Sequence, residues 1–451
     1  MDPKLVLLVV GAVAVMCVVL TMGRYRFAVA ALFVALTFLP VRLLGFGDVP
    51  FGWTVGVSSA VPALTTYNTL LLGFALVLLV ERKLPRSARF AVPVVVFCGF
   101  GALVLWPASP NVSSGLLHVL ACACAWAVGL HLGARLDPDG ASGRFVALVL
   151  LLVACVLGLS VASQLASGAG DVERASGLFG HPATLGKLGV IFLGLLLPLS
   201  RSTAGRTRAM SYAAALVLFA MTGPTLSRAN ILAMVVVILA WALLLPSTRN
   251  LGKKILLPLG TVAVFVPVLD SLLTRFAVDS EGGDRPELLA AGYRQIAAQP
   301  WTGTGPNNYV TAVGGHEPIV ALTGYPVHNM FLLTAAELGI VGAAFFFLPF
   351  VYALGVALRR VRTDGQVGDH ARGILVLLLG ITVVGLSGWA VVQQPVAETL
   401  FLVCGVLLGQ VQRTRPVVDD APATSTVSSP GAARTTTPAR AARPVPRGAR
   451  P

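Results

Sequence analysis

The sequence predicts an all-α integral membrane protein, and three observations carry the prediction. Hydrophobic residues make up 56% of the 451-residue chain and charged residues only 12%, whereas a soluble domain carries roughly 25% charged residues. Mean hydropathy is +0.83. The apolar residues also fall in runs of about 18 or more, long enough for a helix to cross the hydrocarbon core of a bilayer. Such sparse charge cannot cover a water-facing surface, which excludes an assembly of soluble domains.

Taken in order, the apolar runs lie at 5–22, 27–45, 63–81, 90–107, 115–134, 145–164, 185–200, 210–223, 229–246, 254–272, 328–358, 372–393 and 397–411. They predict 12–13 transmembrane helices. The run at 210–223 is short, as a tilted or half-inserted helix would be, and the long run at 328–358 contains Gly339 and Gly342 as bending points.

The loops alternate in charge. Basic residues follow the first run (Arg24, Arg26), the third (Arg82, Lys83, Arg86, Arg89), the fifth (Arg135, Arg144), the seventh (Arg201, Arg206, Arg208), the ninth (Arg249, Lys253, Lys254) and the eleventh (Arg359, Arg360, Arg362, Arg372). Alternate loops such as 46–62 and 108–114 have no Lys or Arg. The positive-inside rule therefore assigns the basic loops and the C-terminus to the cytoplasm, and the N-terminus to the outside if all thirteen runs cross. The same rule accounts for the net charge of +14 without a nucleic-acid partner.

Residues 1–411 thus form a polytopic domain with a large extracytoplasmic loop at 273–327. Residues 412–451, rich in Pro, Ala, Thr, Ser and Arg and without hydrophobic periodicity, read as a disordered basic cytoplasmic tail. The six cysteines all lie in apolar runs and read as small buried hydrophobes, not as a disulfide framework or a zinc site. His118, His131 and His370 are scattered, and the Asp137-Pro138-Asp139-Gly140 stretch is turn chemistry in preference to a metal motif. The first run is too long for the core of a signal peptide and lacks its charged flank.

External loops should be poor in arginine, so the exceptions carry information. Arg174 lies in 165–184, Arg228 begins a span after Ser227, and Arg275, Arg285 and Arg294 lie in the long loop. Each alone fits a side chain snorkelling to lipid headgroups; several on one side favour a site for an anion. Asp284-Arg285-Pro286-Glu287 reads as a helix start with Asp284 as N-cap, followed by an apolar stripe Leu289, Tyr293, Ile296 and a stop at Pro300. That places Arg285 in a first helical turn, where free N–H groups and the helix dipole suit a phosphate. An ion pair with Asp284 or Glu281 is the other reading. Trp301 precedes a Gly303-x-Gly305 turn and is either an interfacial anchor or a sugar-stacking platform. His328-Asn329 opens a span, with Glu337 inside it. His328 has the chemistry of a general base or of a helix cap, and Glu337 needs a partner or a proton, such as His328 or an arginine.

This set resembles the O-antigen ligase/O-antigen polymerase superfamily of bacterial membrane glycosyltransferases. The matching features are Ser227-Arg228 at a span start, Arg285 opening a loop helix, the Pro300 to Gly305 turn, and His328-Asn329 followed by Glu337-x-Gly339-x-x-Gly342, over about Ser176 to Gly342. Gly177…Gly180-His181-Pro182 departs from the Asn-Pro-Asn-like residues expected there. The resemblance implies a GT-C-like, metal-independent, inverting glycosyltransferase of the cytoplasmic membrane that needs no cofactor. The implied donor is a glycan on polyprenyl pyrophosphate at the outer face, and the acceptor is a glycan or glycolipid. Arg228 and Arg285, with Arg174 assisting, would hold the pyrophosphate, and His328 would activate the acceptor hydroxyl, with Glu337, Asn329 and Trp301 in support. The alternative class is a transporter or flippase for lipid-linked sugars, for which Lys187 and Asp270 are possible intramembrane charges. Ligase and polymerase share their donor chemistry and differ only in acceptor.

Overall fold

The computed structural model describes residues 25–36, 65–166, 175–179, 181–245, 252, 259–260, 283–392 and 395–413. The described residues are helical, without strands, as an all-α integral membrane protein requires. In chain order the helices are α1 (Tyr25–Leu36), α2 (Thr66–Val80), α3 (Arg86–Leu105), α4 (Pro110–Arg135), α5 (Ala141–Ala166), α6 (Pro182–Leu199), α7 (Gly205–Thr222) and α8 (Arg228–Leu244). Then come α9 (Arg285–Ala298), α10 (Tyr309–Gly314), α11 (Pro318–Thr323), α12 (Met330–Arg360), α13 (Gly365–Leu386) and α14 (Val396–Gln412). Six of them, α3 to α6, α12 and α13, are long and apolar enough to cross a membrane. The predicted run at 5–22, all but 259–260 of that at 254–272, and the tail beyond Arg413 lie outside the described residues. The 210–223 run is the C-terminal part of α7, which starts earlier, at Gly205, because polar Arg206 and Arg208 extend the helix beyond its apolar stretch.

The tightest helix pair is α4 with α14. Gly129 and Gly133 on α4 face the Leu402 and Val406 carbonyls, and Gly405 and Gly409 on α14 face the α4 backbone, so a Cβ at any of the four would collide. Small residues four apart on both helices let the backbones approach, the packing device of membrane helices.

α12 is broken at Gly339, which takes a left-handed φ of 70°. The break frees backbone groups, and an adjacent turn takes them up: Thr304 and Gly305 N–H donate to the Ala336 and Glu337 carbonyls at 3.0 and 2.9 Å, and Ile340 N–H donates to Pro300 O at 2.8 Å. A non-helical backbone at this depth is stable only when it is satisfied in this way. Gly342, the second expected bending point, instead admits the Phe97 ring.

One end of the bundle carries α9–α11, the starts of α4, α12 and α14 and the ends of α3 and α13, tied by Trp106 Nε1 to Thr302 O (2.7 Å), Asn111 to Thr311 (2.9 Å) and Asn329 to Leu386 O (3.4 Å). The other end carries Arg86, Arg89, Arg135, Arg201, Arg359, Arg360 and Arg413. There the Asp137–Gly140 turn is structural: Asp139 accepts from Ser202 Oγ at 2.7 Å and Thr203 N at 2.6 Å.

Candidate functional site

The site forms at the loop end, where four helices begin. Asn329 caps α12, its Oδ1 accepting from Phe331 and Leu332 N–H at 3.0 and 3.1 Å. The cap is therefore Asn329 and not His328, and it leaves the imidazole one residue before the cap. His328 sits between two aromatic rings, Tyr325 and Trp389, each 6.1 Å away and roughly perpendicular. Its Nδ1 is buried without a hydrogen-bond partner. Burial, then the positive charges of Arg285 and Lys187, push its pKa down to about 4, with the Pro326 carbonyl pulling the other way. The ring is thus neutral at physiological pH and able to take a proton.

Arg285 is the first residue of α9, as expected, with Asp284 before it and Pro286 in the first turn. The side chain of Asp284 makes no capping bond. The buried face of α9 is Leu288, Ala291, Gly292 and Gln295, while Leu289 and Tyr293 are exposed. The expected stripe is thus displaced by one residue. Small Ala291 and Gly292 bring the helix down onto Val327, next to His328, and the bulky residues are left outside. Arg285 is exposed and makes no ion pair among the described residues. Arg294, counted with it in the sequence, is committed elsewhere: its guanidinium forks onto Glu317 at 2.6 Å to both oxygens, and so holds that carboxyl below its usual range.

Arg228 is the first residue of α8, after a left-handed Leu226 that turns the chain. The start of α8 is locked to the start of α6, where Asn230 Nδ2 donates to Ala183 O at 3.0 Å over the missing side chain of Gly186. His181, whose role the sequence left open, is the N-cap of α6, its Nδ1 accepting from Ala183 N–H at 3.2 Å. Lys187, one turn further along α6, is buried and carries one of the two charges that act on His328. The sequence offered arginine as the site's cation, and the structure adds this lysine. Its signal was a lone ammonium in an apolar span.

Glu337 does not hold His328 or an arginine in the described structure. It accepts from Tyr309 N–H at 3.4 Å and so fixes the turn that fills the α12 break. Trp301 ends α9's exit turn and is exposed. Arg174 lies outside the described residues.

A family model described as O-antigen ligase matches residues 188–347, the segment that runs from α6 into α12 and holds Arg228, Arg285, Trp301, His328, Asn329 and Glu337. That match supports the O-antigen ligase/polymerase superfamily, the one that the sequence resembles. No curated protein matches the chain. The match and the apolar helices support a multi-pass bacterial membrane protein, and the matched family implies glycosyltransferase-like ligase or polymerase activity in polysaccharide assembly on a lipid-linked glycan and an acceptor.

Proposed function

We propose that the protein transfers a glycan from a polyprenyl-pyrophosphate donor to an acceptor hydroxyl at the outer face of the bacterial cytoplasmic membrane, by inversion and without a metal. The observation that carries this is the His328 imidazole, set between Tyr325 and Trp389 beside α9, the helix that Arg285 opens, with its Nδ1 buried. Arg285 and Arg228 each open a helix, where backbone N–H groups add to the guanidinium. They hold the pyrophosphate, and Arg174 assists. His328 takes the proton of the acceptor hydroxyl as its oxygen attacks the anomeric carbon. The bond from that carbon to the pyrophosphate breaks, and the polyprenyl pyrophosphate leaves with its charge held by the cations. Trp301 offers a ring face to the glycan. The arginine-rich opposite end supports a cytoplasmic placement of that end and of the C-terminus.

Purified protein given a polyprenyl-pyrophosphate oligosaccharide and an acceptor will form a new glycosidic bond of inverted anomeric configuration, with or without EDTA. Full activity in Arg285→Ala or His328→Ala defeats the residue assignment. Complete loss with EDTA makes it a metal enzyme, and label that crosses liposomes with no new bond makes it a transporter.

A further inference from the structure

Three reactive side chains that the sequence leaves scattered meet inside the bundle, outside the family-matched segment. His118 on α4 contacts Glu398 in the first turn of α14, Nδ1 to Oε1 at 2.8 Å. Its Nε2 lies 2.9 Å from the Val392 carbonyl, and Cys122 Sγ lies 3.9 Å from the same nitrogen. Glu398 is fully buried, and its Oε2 has no partner in the described structure. Tyr67 hydrogen-bonds the adjacent Thr399 at 3.3 Å.

The hydrogen-bond chemistry restricts what this pair is. A carbonyl only accepts, so His118 carries a proton on Nε2. The short contact to Oε1 then shares one further proton between Nδ1 and the carboxylate. The pair is neutral as a unit, the state that a buried site with an unpartnered carboxylate oxygen tolerates best.

The bond to Val392 reaches the catalytic end. Val392 closes the turn Ala390–Val392, its N–H donating to Trp389 O at 3.1 Å. Trp389 lies edge-on against the His328 ring, at 6.1 Å and 76°. Trp389 and Val392 also pack on the loop core, which includes Leu288 of α9, the helix that begins with Arg285, and Val327 beside His328. The strap Trp389–Val392 is therefore fastened to the interior at Val392 and packs against the base at Trp389.

We propose that His118 and Glu398 are positioning residues, which through Val392 and Trp389 set the seat of the His328 imidazole. The proposal rests on His328 as the base, and a metal is the competing reading of the same cluster. The His118, Cys122 and Glu398 donor atoms lie within 4.8 Å of one another. With Nε2–H on Val392, however, an ion would have to take Nδ1, the nitrogen that already contacts Glu398, whereas Cys122 lies against Nε2.

The test compares the loss of the hydrogen bonds with their replacement. Glu398→Gln keeps a donor toward Nδ1, and His118→Gln keeps a donor toward Val392, so both retain transfer within about threefold, as expected when geometry is kept. Glu398→Leu and His118→Phe release the strap. Their kcat falls on the order of 10²-fold, the cost of a base displaced by about 1 Å, while KM for the donor holds and the acid limb of the pH profile moves. Diethyl pyrocarbonate labelling of His328, read by mass spectrometry, requires no turnover. It accelerates in Glu398→Leu and equally in Trp389→Ala, which leaves the buried pair untouched and so serves if the interior variants fail to fold. If labelling and kcat are unchanged in Trp389→Ala and Glu398→Leu, the positioning role is overturned. If Glu398→Gln is as impaired as Glu398→Leu, the acid itself is needed. Stoichiometric metal in the purified protein that is lost in Cys122→Ser makes the cluster a metal site. Altered labelling without any transferase activity in the parent protein would leave the strap in place and remove only the assignment of the reaction.

Discussion

At the end of the bundle opposite the loop, the fold consumes its arginines. Arg372, almost fully buried, donates to Asp369 at 2.7 Å, Arg201 approaches the other oxygen of Asp369 at 3.8 Å, and Arg413 donates to the Leu136 carbonyl at 2.7 Å. At the loop end Arg285 is exposed and makes no ion pair among the described residues. The same residue type thus serves two purposes. Where a carboxylate answers a guanidinium, the pair contributes to the fold. Where a guanidinium stays exposed with no ion pair among the described residues, as at Arg285, its positive potential reaches the solvent.

The contrast can be broken or sharpened by measurement. His328→Ala gives the largest effect: transfer falls by roughly 10²–10⁴ while helix content stays constant, as expected for loss of a general base. Undiminished turnover would leave the loop end without chemistry. The opposite end should answer in stability. Asp369→Ala strands Arg372 as a buried charge and costs about 3–5 kcal/mol of folding free energy, seen as a lower melting temperature in detergent with turnover per folded molecule retained. Arg285→Ala should show the reverse pattern, an unchanged melting temperature and a rate about 10²–10³ lower. Arg285→Lys restores little, because an ammonium lacks the guanidinium fork.

Next is a shift with pH. A base works unprotonated, so activity is present above its pKa and is lost as pH falls through it. In the empty protein that pKa is about 4, set by burial and by Arg285 and Lys187. A bound pyrophosphate offsets those two charges and raises it. The acid limb of kcat, which reports the donor complex, therefore lies higher than the limb of kcat/KM, which reports the free enzyme; the opposite order would mean that the cations and the anion do not share a site. Smallest is Glu317→Gln, which unpairs Arg294 at an exposed bridge and leaves the melting temperature and the rate nearly unchanged.

The parts of this arrangement legible in the sequence were those encoded by neighbours. Apolar runs marked the spans, Asp284-Arg285-Pro286 marked the start of α9, and Gly339 marked the break in α12. What was not legible depended on contacts across long stretches of chain. That Trp301–Gly305 would occupy the break follows from hydrogen bonds some thirty-five residues apart. The displaced face of α9 reflects Val327, which small residues fit better than the Leu289 and Tyr293 stripe. His118 and Glu398 are separated by 280 positions, and their meeting is a property of the α4–α14 interface. No local pattern announces it.

The glycine-to-glycine contact of α4 with α14 has a consequence for biosynthesis. α4 leaves the ribosome long before α14 does, so until the 396–412 segment is inserted, the flank of α4 that ends in His118 faces lipid or a substitute partner. The His118–Glu398 contact then forms only after the last described helix arrives, and a nascent chain arrested before that point would leave His118 without its carboxylate partner.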